Sequence, residues 1–151
     1  MTDTAAEIDA VDPETALTAL ETEPGAVLVD VRSAPEWTFV GLPDISATGR
    51  PLWRIEWAAW PGMTPDPDGF AAALAERMAG ASVRPTRLLF ICRSGTRSRH
   101  AAQRIAAGTA VQGHGVRCTN VDEGFEGGRD AHGRRGTTTG WKARGLPWSQ
   151  G

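Results

Sequence analysis

Short, almost wholly apolar runs alternate along this chain with longer stretches of helical period. Residues 26–31 read AVLVDV and residues 87–92 read RLLFIC. Runs this short and this rich in branched side chains predict strands covered on both faces, as in parallel sheets. Residues 116–121 form a third, weaker strand candidate. Asp12-Pro13-Glu14 predicts a helix start, with a capping carboxylate, a proline suited to the first helical position and an acid at the positive end. That helix carries Ala16, Leu17 and Leu20 inward and stops before Pro24-Gly25. Residues 52–59 fit two periods, but Trp53, Ile55 and Trp57 alternate with Arg54 and Glu56, which favours a strand. A helix over residues 69–79 places Phe70, Leu74 and Met78 on one face. Another runs from the polar block 93–98 to about residue 107, with Ala101, Ala102, Ile105 and Ala106 inward. Residues 35–49 and the Gly- and Arg-rich tail from Asp122 are read as irregular. Strands alternating with helices predict an α/β fold with a mainly parallel sheet.

The length of 151 residues predicts one domain, taken as residues 11–151, after a flexible segment 1–10 without apolar period. Sixteen basic against eighteen acidic residues give a net charge of −2, so bulk charge does not make this a polyanion binder. No nucleic-acid partner is expected: the tryptophans lack basic interleaving, and Arg134-Arg135 is too short a patch. No apolar run reaches the roughly 18–20 residues of a membrane span, and the acidic start lacks a leader pattern. No membrane association and a cytoplasmic location are therefore expected. Two cysteines, Cys92 and Cys118, and three histidines, His100, His114 and His132, show no metal-ligand spacing, so neither metal nor cofactor is expected.

Chemistry concentrates in CRSGTRS, Cys92 to Ser98, between a buried strand and a helix, where open parallel sheets place their ligands. A tight loop there turns backbone N–H groups toward the sulfur, and the helix N-terminus and the arginines Arg93, Arg97 and Arg99 add positive potential. All of this favours a nucleophilic sulfur and the binding of an anion. Gly95 supplies backbone freedom. Arg97 sits at a helix N-terminus, against the dipole, which argues for anion binding over a local structural role. Arg93, Ser94, Thr96 and Ser98 are further candidates for donating to a bound sulfur or sulfonate. Cys118, inside a strand, is read as a small core residue.

These segments together resemble the rhodanese family of persulfide-forming sulfurtransferases. The resemblance rests on LVDVR at Leu28 to Arg32 with Glu36-Trp37 after it, the CRSGTRS loop, NVDEGFEG from Asn120 to Gly127, and GWKARGLPW from Gly140 to Trp148. It implies a central, mostly parallel five-stranded sheet flanked by helices, with Cys92 as the sulfur-carrying nucleophile. Asp30, Arg32 and Glu36 then support the site, with Arg32 expected to pair with Glu36. The stretch Val40-Gly41-Leu42-Pro43-Asp44 departs from the family, which often has a histidine there. The Trp- and Pro-rich segment up to Gly69 is expected to cover the mouth of the site.

The expected activity is transfer of sulfur from an anionic donor such as thiosulfate to cyanide, a thiol or a protein acceptor, through a Cys92 persulfide. Two other readings stay open: a carrier or protein-binding module that keeps the loop without turnover, and a cysteine phosphatase or arsenate reductase. The last is disfavoured because only four residues separate Cys92 from Arg97.

Overall fold

The computed structural model describes residues 7–108 and 115–150, so residues 1–6 of the expected flexible segment and His114 lie outside the described residues. The strands of the main sheet are β1 (Asp9–Val11), β2 (Ala26–Asp30), β4 (Leu52–Arg54), β5 (Arg87–Ile91) and β6 (Arg117–Val121). They lie parallel in the order β1-β6-β5-β2-β4. The helices are α1 (Pro13–Thr22), α2 (Pro67–Ala79), α3 (Thr96–Ala106) and the single turn α4 (Gly140–Ala143). Two short strands, β3 (Leu42–Pro43) and β7 (Trp148–Ser149), pair antiparallel outside the sheet.

The apolar runs that predicted β2 and β5 are buried at every position, because helices cover both faces of the sheet. Ala26 and Leu28 pack with Ala16, Leu20, Leu89 and Ile91 on the α1 face. Val27 and Val29 point the other way, onto Phe70, Leu74, Phe90 and Ala101 beneath α2 and α3. Trp53, Ile55 and Trp57 follow the predicted alternation and are all buried. Regular pairing ends at Arg54, but the Ile55 and Trp57 N–H groups still reach the Asp30 and Val31 carbonyls at 3.0 and 3.1 Å.

Three expectations need correction. Asp9 and Ala10, placed in the flexible segment, begin β1 and pair with Thr119 and Asn120. The Asp9 carboxylate fixes this edge by accepting from Thr119 Oγ1 at 2.6 Å and from the Arg117 guanidinium. The helix expected over 69–79 starts at Pro67, where the Asp66 carboxylate caps the Gly69 N–H at 3.1 Å. The irregular stretch 35–49 contains a π-helical turn, Glu36–Val40, and β3, while the tail contains α4 and β7.

Going from β2 the chain crosses to β4 on one side, and from β5 to β6 on the other. The carboxyl ends of β2 and β5 thus flank a switch in winding direction, where such sheets open a crevice.

Candidate active site

Cys92 follows β5 and is buried, with 1% of its surface exposed. The Gly95 N–H donates to its Sγ at 3.1 Å. Among the described residues this is the one loop amide bonded to the sulfur, where the sequence suggested several. Gly95 has φ of 109°, a left-handed conformation that opens α3 without a side-chain cap. The first N–H groups of α3 therefore keep their donor capacity toward the loop.

The hydroxyl of Ser98 lies 3.2 Å from Cys92 Sγ and 2.6 Å from Asn120 Oδ1. The Asn120 amide nitrogen donates to the Gly95 carbonyl at 3.2 Å and to the Asp122 carboxylate at 2.8 Å. Both of those partners are pure acceptors, so the amide oxygen must face Ser98, whose single proton serves that oxygen and the Cys92 sulfur. Ser98 Oγ thus stands within donating distance of Cys92 Sγ. Asn120 was not singled out from the sequence; its one signal was a polar residue inside an otherwise buried strand.

The loop is held from behind. Phe125 N–H donates to the Cys92 carbonyl at 2.8 Å, and the Glu126 and Gly127 N–H groups to the Arg93 carbonyl at 2.9 and 3.0 Å. Gly124 passes so close that a Cβ there would stand 2.5 Å from the Cys92 carbonyl oxygen. Phe125 in turn carries the Arg32 guanidinium over its ring, 4.5 Å from the centroid.

Arg32 does not pair with Glu36. It is fully buried and bonds Asp30 through Nε at 2.9 Å and Nη2 at 2.7 Å, and Nη2 also reaches the Gly41 carbonyl at 2.8 Å. Arg32 lies in a bend two residues past the end of β2, and its backbone N–H also donates to Asp30 Oδ1 at 3.1 Å, which brings the two side chains together. Glu36 binds Arg97, with Nη1 to Oε1 at 2.8 Å and Nη2 to Oε2 at 2.9 Å. Burial alone would raise the Glu36 carboxyl, but the Arg97 hydrogen bonds and charge, with Ser33, outweigh it and lower its pKa to about 2. Both terminal nitrogens of Arg97, the expected sulfonate ligand, are thereby engaged.

Over the loop opens a cleft of about 810 Å³. Arg93, Arg97, Arg129 and Arg135 line it, together with Glu36 and Glu126. Trp60 and Met63, from the Trp- and Pro-rich segment, form part of its wall, and Phe39 stands at its edge. The guanidiniums of Arg93 and Arg129 make no hydrogen bond or ion pair with a described residue. Ser94 is half-buried and Thr96 exposed; Arg99 and His100 face solvent. Cys118 is buried beneath the same sheet face, where burial and then the Asp9 carboxylate push its thiol up to about 12. It stays protonated at neutral pH.

The buried cysteine thus ends a central strand of a five-stranded parallel sheet with helices on both faces, a rhodanese-like fold. The comparisons agree. The crystal structure of Rv0390 from M. tuberculosis is 42% identical, covering 95% of this chain and 98% of that one, with a TM-score of 0.78. The polysulfide-sulfur transferase of Wolinella succinogenes, solved as a homodimer, shares the fold at 18% identity and a TM-score of 0.57, over 97% of this chain and 82% of that one. Saccharomyces cerevisiae Ygr203w, described as a homolog of single-domain rhodanese and the Cdc25 phosphatase catalytic domain, does so at 17% identity and 0.54, over 80% and 79%. Among curated proteins, the uncharacterized RP600 of Rickettsia prowazekii is 32% identical over 82% of each chain. No family model matches. The chain belongs to one family with Rv0390 and RP600, and its fold is rhodanese-like. No helix among the described residues is long and apolar enough to cross a membrane.

Proposed function

We propose that the protein is a sulfurtransferase that carries sulfur on Cys92. The observation that carries this reading is the Cys92 sulfur itself, held at the switch point of the sheet by the Gly95 N–H. The Cys92 thiolate attacks the outer sulfur of a donor such as thiosulfate; its sulfur–sulfur bond breaks, and sulfite leaves with the electron pair. An acceptor thiolate or cyanide then attacks the outer sulfur of the persulfide and returns Cys92 as thiolate. The uncapped start of α3 and the unpaired Arg93 guanidinium face the anionic donor. Such preorganised donors stabilise the leaving sulfite without reorganisation. No step needs a metal or an organic cofactor.

A phosphatase reading is weaker. It requires an arginine closing the loop on the phosphate, and here Arg97 is held by Glu36. Steady-state thiosulfate:cyanide assays test the proposal. Cys92→Ser should lose turnover while keeping the fold, since a hydroxyl carries no transferable sulfur. Retained transfer in Cys92→Ser, or hydrolysis of an aryl phosphate in place of transfer, would reject it.

A further inference from the structure

Thiosulfate has five heavy atoms, and a cleft of about 810 Å³ lies in the range of sites for much larger molecules. The cleft also carries four arginines against two glutamates, on a chain whose net charge is −2. Arg97 is neutralised by Glu36, but Arg93 and Arg129 have no hydrogen-bonding or ionic partner among the described residues. Burial, followed by the charges of Arg93 and Arg129, holds the Arg135 guanidinium below its usual range. The Glu126 carboxylate on the same cleft offsets part of this repulsion, and three arginines against that one free acid still leave a site where a further anion is favoured.

Two large apolar side chains frame the same opening and face solvent: Phe39 is 74% and Trp60 65% exposed. A small ligand seated at the loop would leave these outward faces wet. A macromolecule would cover them, and aromatic residues with arginine are the composition enriched where proteins meet. Cys92 is only 1% exposed and lies behind the Arg93 and Arg97 that line the cleft, so an acceptor sulfur must come in on a slim, extended arm and not on a flat surface.

We propose that this cleft receives an acidic, extended segment of an acceptor protein, whose cysteine takes the sulfur from Cys92. The segment's carboxylates sit against Arg93, Arg129 and Arg135, and its apolar side chains cover Phe39 and Trp60. This rests on the sulfur-transfer reading of Cys92. In the transfer the segment's thiolate attacks the outer persulfide sulfur; the new sulfur–sulfur bond forms as the old one breaks, and Cys92 leaves as thiolate.

The test uses protein loaded with thiosulfate and freed of excess donor. Cyanide first measures how much sulfur Cys92 can release. Transfer is then timed to a synthetic peptide with one cysteine among Asp, Glu and Leu, to the same peptide with Lys for each acid, and to mercaptoacetate. The acidic peptide should accept about tenfold faster than the lysine peptide, the contribution of one charge-assisted hydrogen bond. Arg129→Ser should shrink that ratio, and Phe39→Ala should raise KM for the acidic peptide. Equal rates for the two peptides would overturn the proposal. So would mercaptoacetate matching the acidic peptide at equal concentration, which assigns the cleft to small organic acids. A protein that loads no cyanide-labile sulfur rejects the transfer function itself, a result separate from any failure of peptide discrimination.

Discussion

Arg97 and Glu36, 61 residues apart in sequence, join the two loops of the site through two parallel hydrogen bonds of 2.8 and 2.9 Å. One residue follows β5 and the other follows β2, so the pair spans the crevice between the carboxyl ends of those strands. Bidentate arginine–carboxylate pairs fix orientation as well as charge. The pair locks the π-helical turn against the Cys92 loop.

This lock has a pH signature. Glu36 is lowered from 4.5 to about 2, so the folded state binds its proton less readily than the unfolded chain. The resulting stability is fully present above pH 4.5 and is lost as pH falls toward 2. Its size is on the order of 3 kcal/mol at neutral pH. Denaturant unfolding of wild type and Glu36→Gln across pH 2–7 should show a difference that is large at neutrality and shrinks on acidification. A difference that does not change with pH would contradict the ionic lock.

The Ser98–Asn120 pair predicts coupling. Asn120→Ala frees the Ser98 proton to turn toward sulfur, and it leaves the Gly95 carbonyl without that amide. Ser98→Ala leaves the Asn120 oxygen unbonded. A double-mutant cycle on unfolding free energy should give a coupling of roughly 0.5–3 kcal/mol, as expected of residues in one network. Strict additivity would mean that the 2.6 Å contact does not hold the loop.

Gly124→Ala should disrupt the loop without touching a reactive group. Its φ of 65° lies in the left-handed region, and the added Cβ would press on the Cys92 and Arg93 carbonyls. Left-handed geometry alone costs a residue with a Cβ about 1–2 kcal/mol, and the clash adds to it. Thermal unfolding and turnover should both fall. Wild-type stability in this variant would show that the turn does not support the loop.

The central strands and the cysteine loop were legible because their signals are local. β2 and β5 are buried on both faces, and an unbroken branched run announces that. The loop announces itself by residue type between a strand and a helix. What could not be read was which arginine meets which acid. Arg32 is only four residues from Glu36, yet the bend after β2 turns it to Asp30, and the fold supplies the distant Arg97 instead. The start of α2 carries the same local signal as α1, Asp66-Pro67 repeating Asp12-Pro13, but inside a proline-rich stretch whose composition favours a loop. β3 and β7 have two residues each, too few for any period, and exist only because the tail folds back. Phe39, Arg129 and Arg135 come to one cleft from separate segments that the sequence left irregular.

The account stands on Cys92 as a carrier of sulfur, and intact-protein mass spectrometry after incubation with thiosulfate measures that directly. The predicted result is a gain of one sulfur atom, located on Cys92 by peptide mapping, removed by cyanide and absent in Cys92→Ala. Cys118, whose thiol is pushed up to about 12, should stay unmodified. An unchanged mass under these conditions, or a gain that persists in Cys92→Ala, would contradict the account.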